Sequence, residues 1–161
     1  EAGAYHGMHL CGLHAMDSCR TEKAFRHFGH DITPEDHVIE AGLGFAVPKD
    51  KTGYIGADAV AKKREAGMNQ RLVQFLLTDP EPLLYHNEPI LRDGQVVGYL
   101  STGSYGHTLG AAVGLGWVPC KGEDAATVLT SSYEIDVAGT RVAATASLKP
   151  MYDPKSERVK V

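Results

Sequence analysis

No apolar run in the 161 residues approaches the roughly 20 that a membrane-spanning helix requires, so no membrane association is expected. Blocks of like charge are missing too. Sixteen Lys and Arg stand against 20 Asp and Glu, for a formal net charge of -4. Nucleic-acid affinity needs clustered cations, and a dedicated nucleic-acid binder is therefore not expected. Cysteine is scarce: Cys11, Cys19 and Cys120 are odd in number and irregularly spaced. They do not make a disulfide framework, and a reducing compartment is the natural setting. The first residue is Glu1 rather than Met, and no charged-then-apolar leader follows. No signal peptide is expected, and the chain reads as a fragment or a processed product.

Several catalytic motifs are also lacking. No strand-GxGxxG-helix fingerprint is present, and no Lys follows the Gly-rich stretch of residues 103–116 as a Walker loop demands. Gly103-Ser104-Tyr105-Gly106 is one residue short of GxSxG. Ser101, Ser104 and His107 therefore read as a turn between strands. His6, His9, Cys11 and His14 are good zinc donors by type, but their spacing matches no standard zinc pattern. Solvated histidines are the simpler reading.

What is present is the composition of a globular protein, 43% hydrophobic and 22% charged. Residues 13–28 lack Gly and Pro and carry good helix formers, which predicts a helix with Gly29 past its end. Residues 31–36 are turn-forming around Pro34. Residues 44–47 read as a short buried strand stopped by Pro48, and residues 55–66 as a second helix ended by Gly67. After Gly67 the pattern changes. Residues 71–77 read as a strand; Asp93-Gly94 and Ala138-Gly139 sit between apolar runs as hairpin turns. Several short strands joined this way suggest a small barrel or sandwich. The chain divides near residue 68. The first piece offers little for its helices to pack against, so either the β piece covers it or it belongs to a larger domain. The second is expected, with an uncovered apolar face.

Three stretches carry a family likeness. Gly12-Leu-His-Ala-Met-Asp-Ser-Cys-Arg-Thr-Glu22 with Phe28-Gly-His-Asp-Ile32 resembles a helix and turn of the glycine-cleavage T-protein (aminomethyltransferase) family. Glu40-Ala-Gly-Leu-Gly-Phe45 is similar to the acidic, Gly-rich segment that follows there. Gly98-Tyr-Leu-Ser-Thr-Gly-Ser-Tyr-Gly-His107 with Ala112-Val-Gly-Leu-Gly-Trp-Val-Pro119 looks like the family's C-terminal barrel. The Ser-Tyr-Gly-His turn and the Tyr152-Asp-Pro-Lys155 ending lean towards dimethylglycine and sarcosine dehydrogenases.

The resemblance implies an α+β fold: residues 1–67 as the C-terminal end of a folate-binding α/β domain, and residues 68–161 as a small antiparallel β-barrel. It implies tetrahydrofolate as cofactor, a small amine-derived one-carbon donor as partner, and FAD only on a missing upstream domain. The reacting carboxylate would also lie upstream, so no catalytic residue is expected here. The parent would be an aminomethyltransferase or an FAD-dependent N-methylglycine oxidoreductase. A cytoplasmic or mitochondrial-matrix location follows from the same likeness.

Residue by residue, a family Arg that contacts folate falls on Met16, which offers no charged donor. A pocket aromatic falls on Phe25, which retains stacking but no hydroxyl. A C-terminal pocket residue falls near Arg158, whose planar fork suits a carboxylate. Glu40 is the fourth candidate cofactor-binding position; read without the likeness, it is an exposed residue before a strand. Asp17, Arg20 and Glu22 suggest a structural role, with Arg20 pairing carboxylates where the pieces meet. The rival readings are a non-catalytic binding or regulatory module of the same fold, and an unrelated β-barrel hydrolase.

Overall fold

The computed structural model describes residues 1–160. Its helices are α1 (Leu13–Glu22), α2 (Ala57–Ala66) and α3 (Ala125–Thr130). Its strands are β1 (Gln70–Leu77), β2 (Pro89–Arg92), β3 (Gln95–Gly106), β4 (Ala111–Pro119), β5 (Tyr133–Val137) and β6 (Thr140–Ser147). Single 3-10 turns occupy Ala4–His6, Gly44–Ala46 and Glu157–Val159.

All six strands follow Gly67 and pair antiparallel into a closed barrel ordered β1-β4-β3-β2-β5-β6, with β6 returning to β1. The turns follow from local chemistry. Asp93 and Gly94 have φ of 51° and 80°, and Ala138 and Gly139 have 51° and 88°, the positive values that a two-residue hairpin turn uses. Strand alternation then sorts the side chains. Along β1, Val73, Phe75 and Leu77 enter the barrel core with Ile90, Leu100, Val118 and Ile135. Phe75 meets Tyr133 edge to face at 5.2 Å between centroids. Leu72 and Leu115 point outward, and form a second cluster with Ala24, Ile32 and Trp117. Residues 1–67 therefore meet the barrel on the outer face of β3, β4 and β1.

Four expectations need correction. The helix predicted over 13–28 ends at Glu22. Ala24 takes φ 51°, Phe25 N donates to Arg20 O at 2.9 Å, and Ala24 N donates to Thr21 O at 2.9 Å. This is the paired closure of a Schellman motif, with alanine where glycine is usual. Gly29, at φ 87°, serves a later turn that joins Phe28 to Ile32. Residues 44–47 are not a buried strand: Gly44–Ala46 is a 3-10 turn and Phe45 is 80% exposed. Ser101 and Ser104 lie within β3, and the turn falls at residues 107–110.

The barrel does cover α1, whose Ser18, Thr21 and Glu22 are buried. No residue of α2 is buried. Tyr5, Met8, Leu10 and Leu13 also remain largely exposed.

Candidate functional site

Buried polar groups lock residues 1–67 to the barrel. Asp31, 1% exposed, accepts from Arg20 Nη1 at 2.5 Å, His27 N at 2.8 Å, Ser101 Oγ at 2.5 Å and Thr102 Oγ1 at 2.7 Å. Burial pushes its carboxyl pKa up. The hydroxyls of Ser101 and Thr102, the His27 amide and the Arg20 guanidinium outweigh that and hold it below the usual carboxylate range. Arg20 also reaches Asp17 at 2.9 Å and Thr102 at 3.1 Å; its two carboxylate partners lie on its own side of the seam, and the Thr102 hydroxyl is the partner across it. Gln74, 1% exposed on β1, donates to the carbonyls of Thr21 (2.7 Å) and Glu22 (3.0 Å) and accepts from Met151 N (2.9 Å). Glu22 receives the amides of Thr108 and Leu109 at 2.6 and 2.9 Å. Its carboxylate thus fastens the turn between β3 and β4.

This seam shapes two cavities. The first is a groove of about 550 Å³ lined by Lys23, Phe25, Arg26, Phe45, Lys149 and Ser156, among others. Phe25 is 57% exposed, because the Schellman turn throws it off the helix axis. Phe45, 80% exposed, lines the same groove. Arg26 braces the base: its Nε donates to Ala41 O at 2.9 Å and its Nη1 to Ala24 O at 2.8 Å. Burial lowers its pKa, and Asp31 partly offsets that. Lys23 Nζ donates to Asp153 O at 2.6 Å and lies 5.9 Å from the ring centroids of both Phe25 and Tyr152. Arg158 lies 5.9 Å from the other contact of that row, the Tyr152 ring. Phe25 and Arg158, far apart in sequence, thus stand at the two ends of one cation–aromatic row.

The other two candidate positions lie elsewhere. Met16 sits on α1, 51% exposed, and lines neither cavity. Glu40 is not exposed as its position before a strand suggested: it is 6% exposed and bonded to Asn69 N and Lys63 Nζ, each at 2.7 Å. Burial raises its pKa, but Lys63 and the backbone amides of Asn69 and Gln70 prevail and lower it.

The second cavity, about 440 Å³, is a cleft between α1 and β3 lined by His14, Arg20, His27, His30, Tyr85 and His86, among others. The His27–His30 and His30–His86 ring centroids are 5.8 and 6.2 Å apart. His27 and His30 share one turn, while His14 sits on α1 and His86 comes from a distant loop, so no spacing rule flagged the set. Among the described residues, no three His, Cys, Asp or Glu side chains come together as a metal site, including the His6, His9, Cys11 and His14 set. No helix among them is long and apolar enough to cross a membrane.

Comparison with known proteins gives two family matches. Residues 70–153 match the glycine cleavage T-protein C-terminal barrel domain, and residues 1–51 match the GCVT N-terminal domain. The chain is 42% identical over 161 residues to a 4-methylaminobutanoate oxidase (formaldehyde-forming) of Paenarthrobacter nicotinovorans, covering 99% of this chain and 19% of that protein. It is 35% identical over 163 residues to the mitochondrial sarcosine dehydrogenase of Homo sapiens, covering 99% of this chain and 18% of that protein. The chain thus spans about a fifth of the length of these relatives. A crystal structure of the glycine cleavage system aminomethyltransferase T from Bartonella henselae shares the fold, with a TM-score of 0.72 at 22% identity, over 87% of this chain and 38% of that one.

Proposed function

The chain belongs to the glycine cleavage T-protein family, and from that premise we propose that it forms one wall of a tetrahydrofolate site in a one-carbon transfer enzyme. In this reading residues 1–67 close a folate domain and residues 68–161 are its C-terminal barrel.

The groove carries the reading. Two exposed aromatic faces, Phe25 and Phe45, stand beside Lys23, Arg26 and Lys149 in a cavity of about 550 Å³, within the usual range for small-ligand sites. Folate joins a flat heteroaromatic ring to a carboxylate-bearing tail. An aromatic face suits the first and a cation the second, so the residues present fit the group. Phe25 and Phe45 would offer the ring their faces. Lys149 and Arg158 would attract the tail carboxylates, while Lys23 and Arg26 keep the base in shape through the bonds described above. When bound, the folate supplies a nucleophilic nitrogen that accepts a one-carbon unit. Met16, which lines neither cavity, takes no part in this reading, and no residue of the chain is assigned to proton transfer.

The relatives named as an oxidase and a dehydrogenase are about five times longer. The donor in this proposal is therefore an N-methylated amine, oxidised with FAD on polypeptide outside these residues, and the released one-carbon unit is captured here. The test is a tetrahydrofolate titration of the intact protein, with formaldehyde capture as methylenetetrahydrofolate as the readout. Binding that Phe25→Ala weakens about tenfold, the scale of one aromatic contact, supports the proposal. Saturable binding of a protein partner with no folate binding would replace it with the non-catalytic module.

A further inference from the structure

Between Glu40 and Asn69 the chain makes a long excursion that carries Phe45 and α2. Its helix has no buried residue, so apolar packing does not hold it in place. The bonds that do hold it converge on one side chain. Glu40 stands just before the excursion, and its Oε1 accepts from the amide of Asn69, just after it, at 2.7 Å. The same oxygen accepts from Lys63 Nζ of α2 at 2.7 Å. The Glu40 carbonyl accepts from Leu72 N of β1 at 3.1 Å. Glu40 thereby closes the neck of the loop and clips its helix to that neck. Arg64 of α2 donates to Val47 O, which passes the restraint on to the turn holding Phe45.

We infer that Glu40 is a positioning residue, one that holds Phe45 in the groove it lines with Phe25 by closing the neck of the 41–68 excursion without touching the ligand. The inference rests on the folate reading for its ligand, but the mechanical part stands on the bonds alone. A carboxylate at this place suits the task. It accepts two charge-assisted or amide hydrogen bonds in a buried setting, where losing one partner leaves the others unmatched. Glutamine keeps the shape and one acceptor oxygen but loses the pairing with Lys63.

The test combines two measurements on Glu40→Gln, Phe45→Ala and the double variant, with Lys63→Met as a second route to the same break. Amide hydrogen exchange, without ligand, should speed up across residues 41–69 in Glu40→Gln and Lys63→Met while the barrel strands stay protected. Calorimetric titration of the intact protein with 5-formyltetrahydrofolate should show about tenfold weaker binding for Phe45→Ala, the scale of one aromatic contact. Glu40→Gln should come close to that loss, and the double variant should lose no more than Phe45→Ala alone. Simple destabilisation would not produce that saturation. Unchanged exchange at residues 41–69, exchange rising equally throughout the barrel, or fully additive losses would each overturn the inference. If the unaltered protein takes no folate, the folate reading falls, and the exchange result alone then decides whether Glu40 holds the excursion.

Discussion

Replacing Asp31 should separate the first 67 residues from the barrel more effectively than any other single polar change. Its carboxylate accepts four hydrogen bonds, two of them from β3 side chains and two from residues 20–27. In Asp31→Ala the Arg20 guanidinium, whose side chain is 13% exposed, keeps one carboxylate, Asp17, itself 35% exposed, beside the neutral acceptors Thr102 Oγ1 and Phe25 O. Ser101 retains Leu115 O at 3.1 Å, and Thr102 retains only its contact with Arg20. Removing one partner of a buried ion pair costs about 3–5 kcal/mol. Asp31→Asn should cost less, about 1–2 kcal/mol. One amide oxygen can still face Arg20 and His27 N, and the amide group can donate to the two hydroxyls after they rotate. Urea unfolding with linear extrapolation measures both variants. Because the folded-state pKa of Asp31 lies below its unfolded value of about 3.9, its contribution is complete above that value and lost as pH falls through the lower folded one. The gap between wild type and Asp31→Asn should therefore hold from neutral pH down to about 4 and then close. An Asp31→Ala cost below about 1 kcal/mol, outside the range for breaking a buried pair, would refute the claim that this carboxylate joins the two parts.

Other expectations are equally direct. Gly103→Ala would put a methyl 2.6 Å from both Leu84 Cβ and Tyr85 N, the second a backbone atom that cannot yield cheaply, so thermal unfolding should show a loss of about 1–3 kcal/mol. Gln74→Leu removes three hydrogen bonds in a site 1% exposed. The stranded carbonyls and amide should cost about 2–3 kcal/mol in chemical denaturation, and exchange should rise at Met151 in particular. Arg158→Gln should weaken tetrahydrofolate binding by no more than about fivefold, as befits an exposed cation; a larger loss would place the tail carboxylates closer to Arg158 than proposed.

The barrel was legible because its signals are local. Asp-Gly and Ala-Gly between apolar runs announce hairpins whatever surrounds them, and both formed. The errors came where distant atoms decide. Ala24 ends α1 in a conformation that its own identity disfavours, held by closure onto Arg20 and Thr21 and by packing against Leu72 and Leu115. The apolar run at residues 44–47 mimics a strand, yet no partner strand reaches it. Glu40 looked like a solvated residue because its partners, Lys63 and Asn69, lie more than 20 positions downstream. The groove was partly visible: Phe25 came from likeness to a family, as did Arg158, which stands beside the groove on Tyr152 rather than in its lining, whereas Phe45 and Lys149 emerged only once the chain had folded back on itself. The histidine cleft was invisible for the same reason, since His30 and His86 meet across separate turns.

Ring closure of the six strands has a consequence for how anything else can attach. With β6 hydrogen-bonded back to β1, the sheet has no free edge strand to offer a visiting peptide, and strand addition along a full edge is closed to it. Whatever docks on this body must be recognised chiefly through side chains and turns, as residues 1–67 are through Asp31, Gln74 and Glu22, with the Leu72 amide bonded to the Glu40 carbonyl where β6 does not reach. Such recognition is read one residue at a time, and single substitutions can therefore retune it without disturbing the sheet.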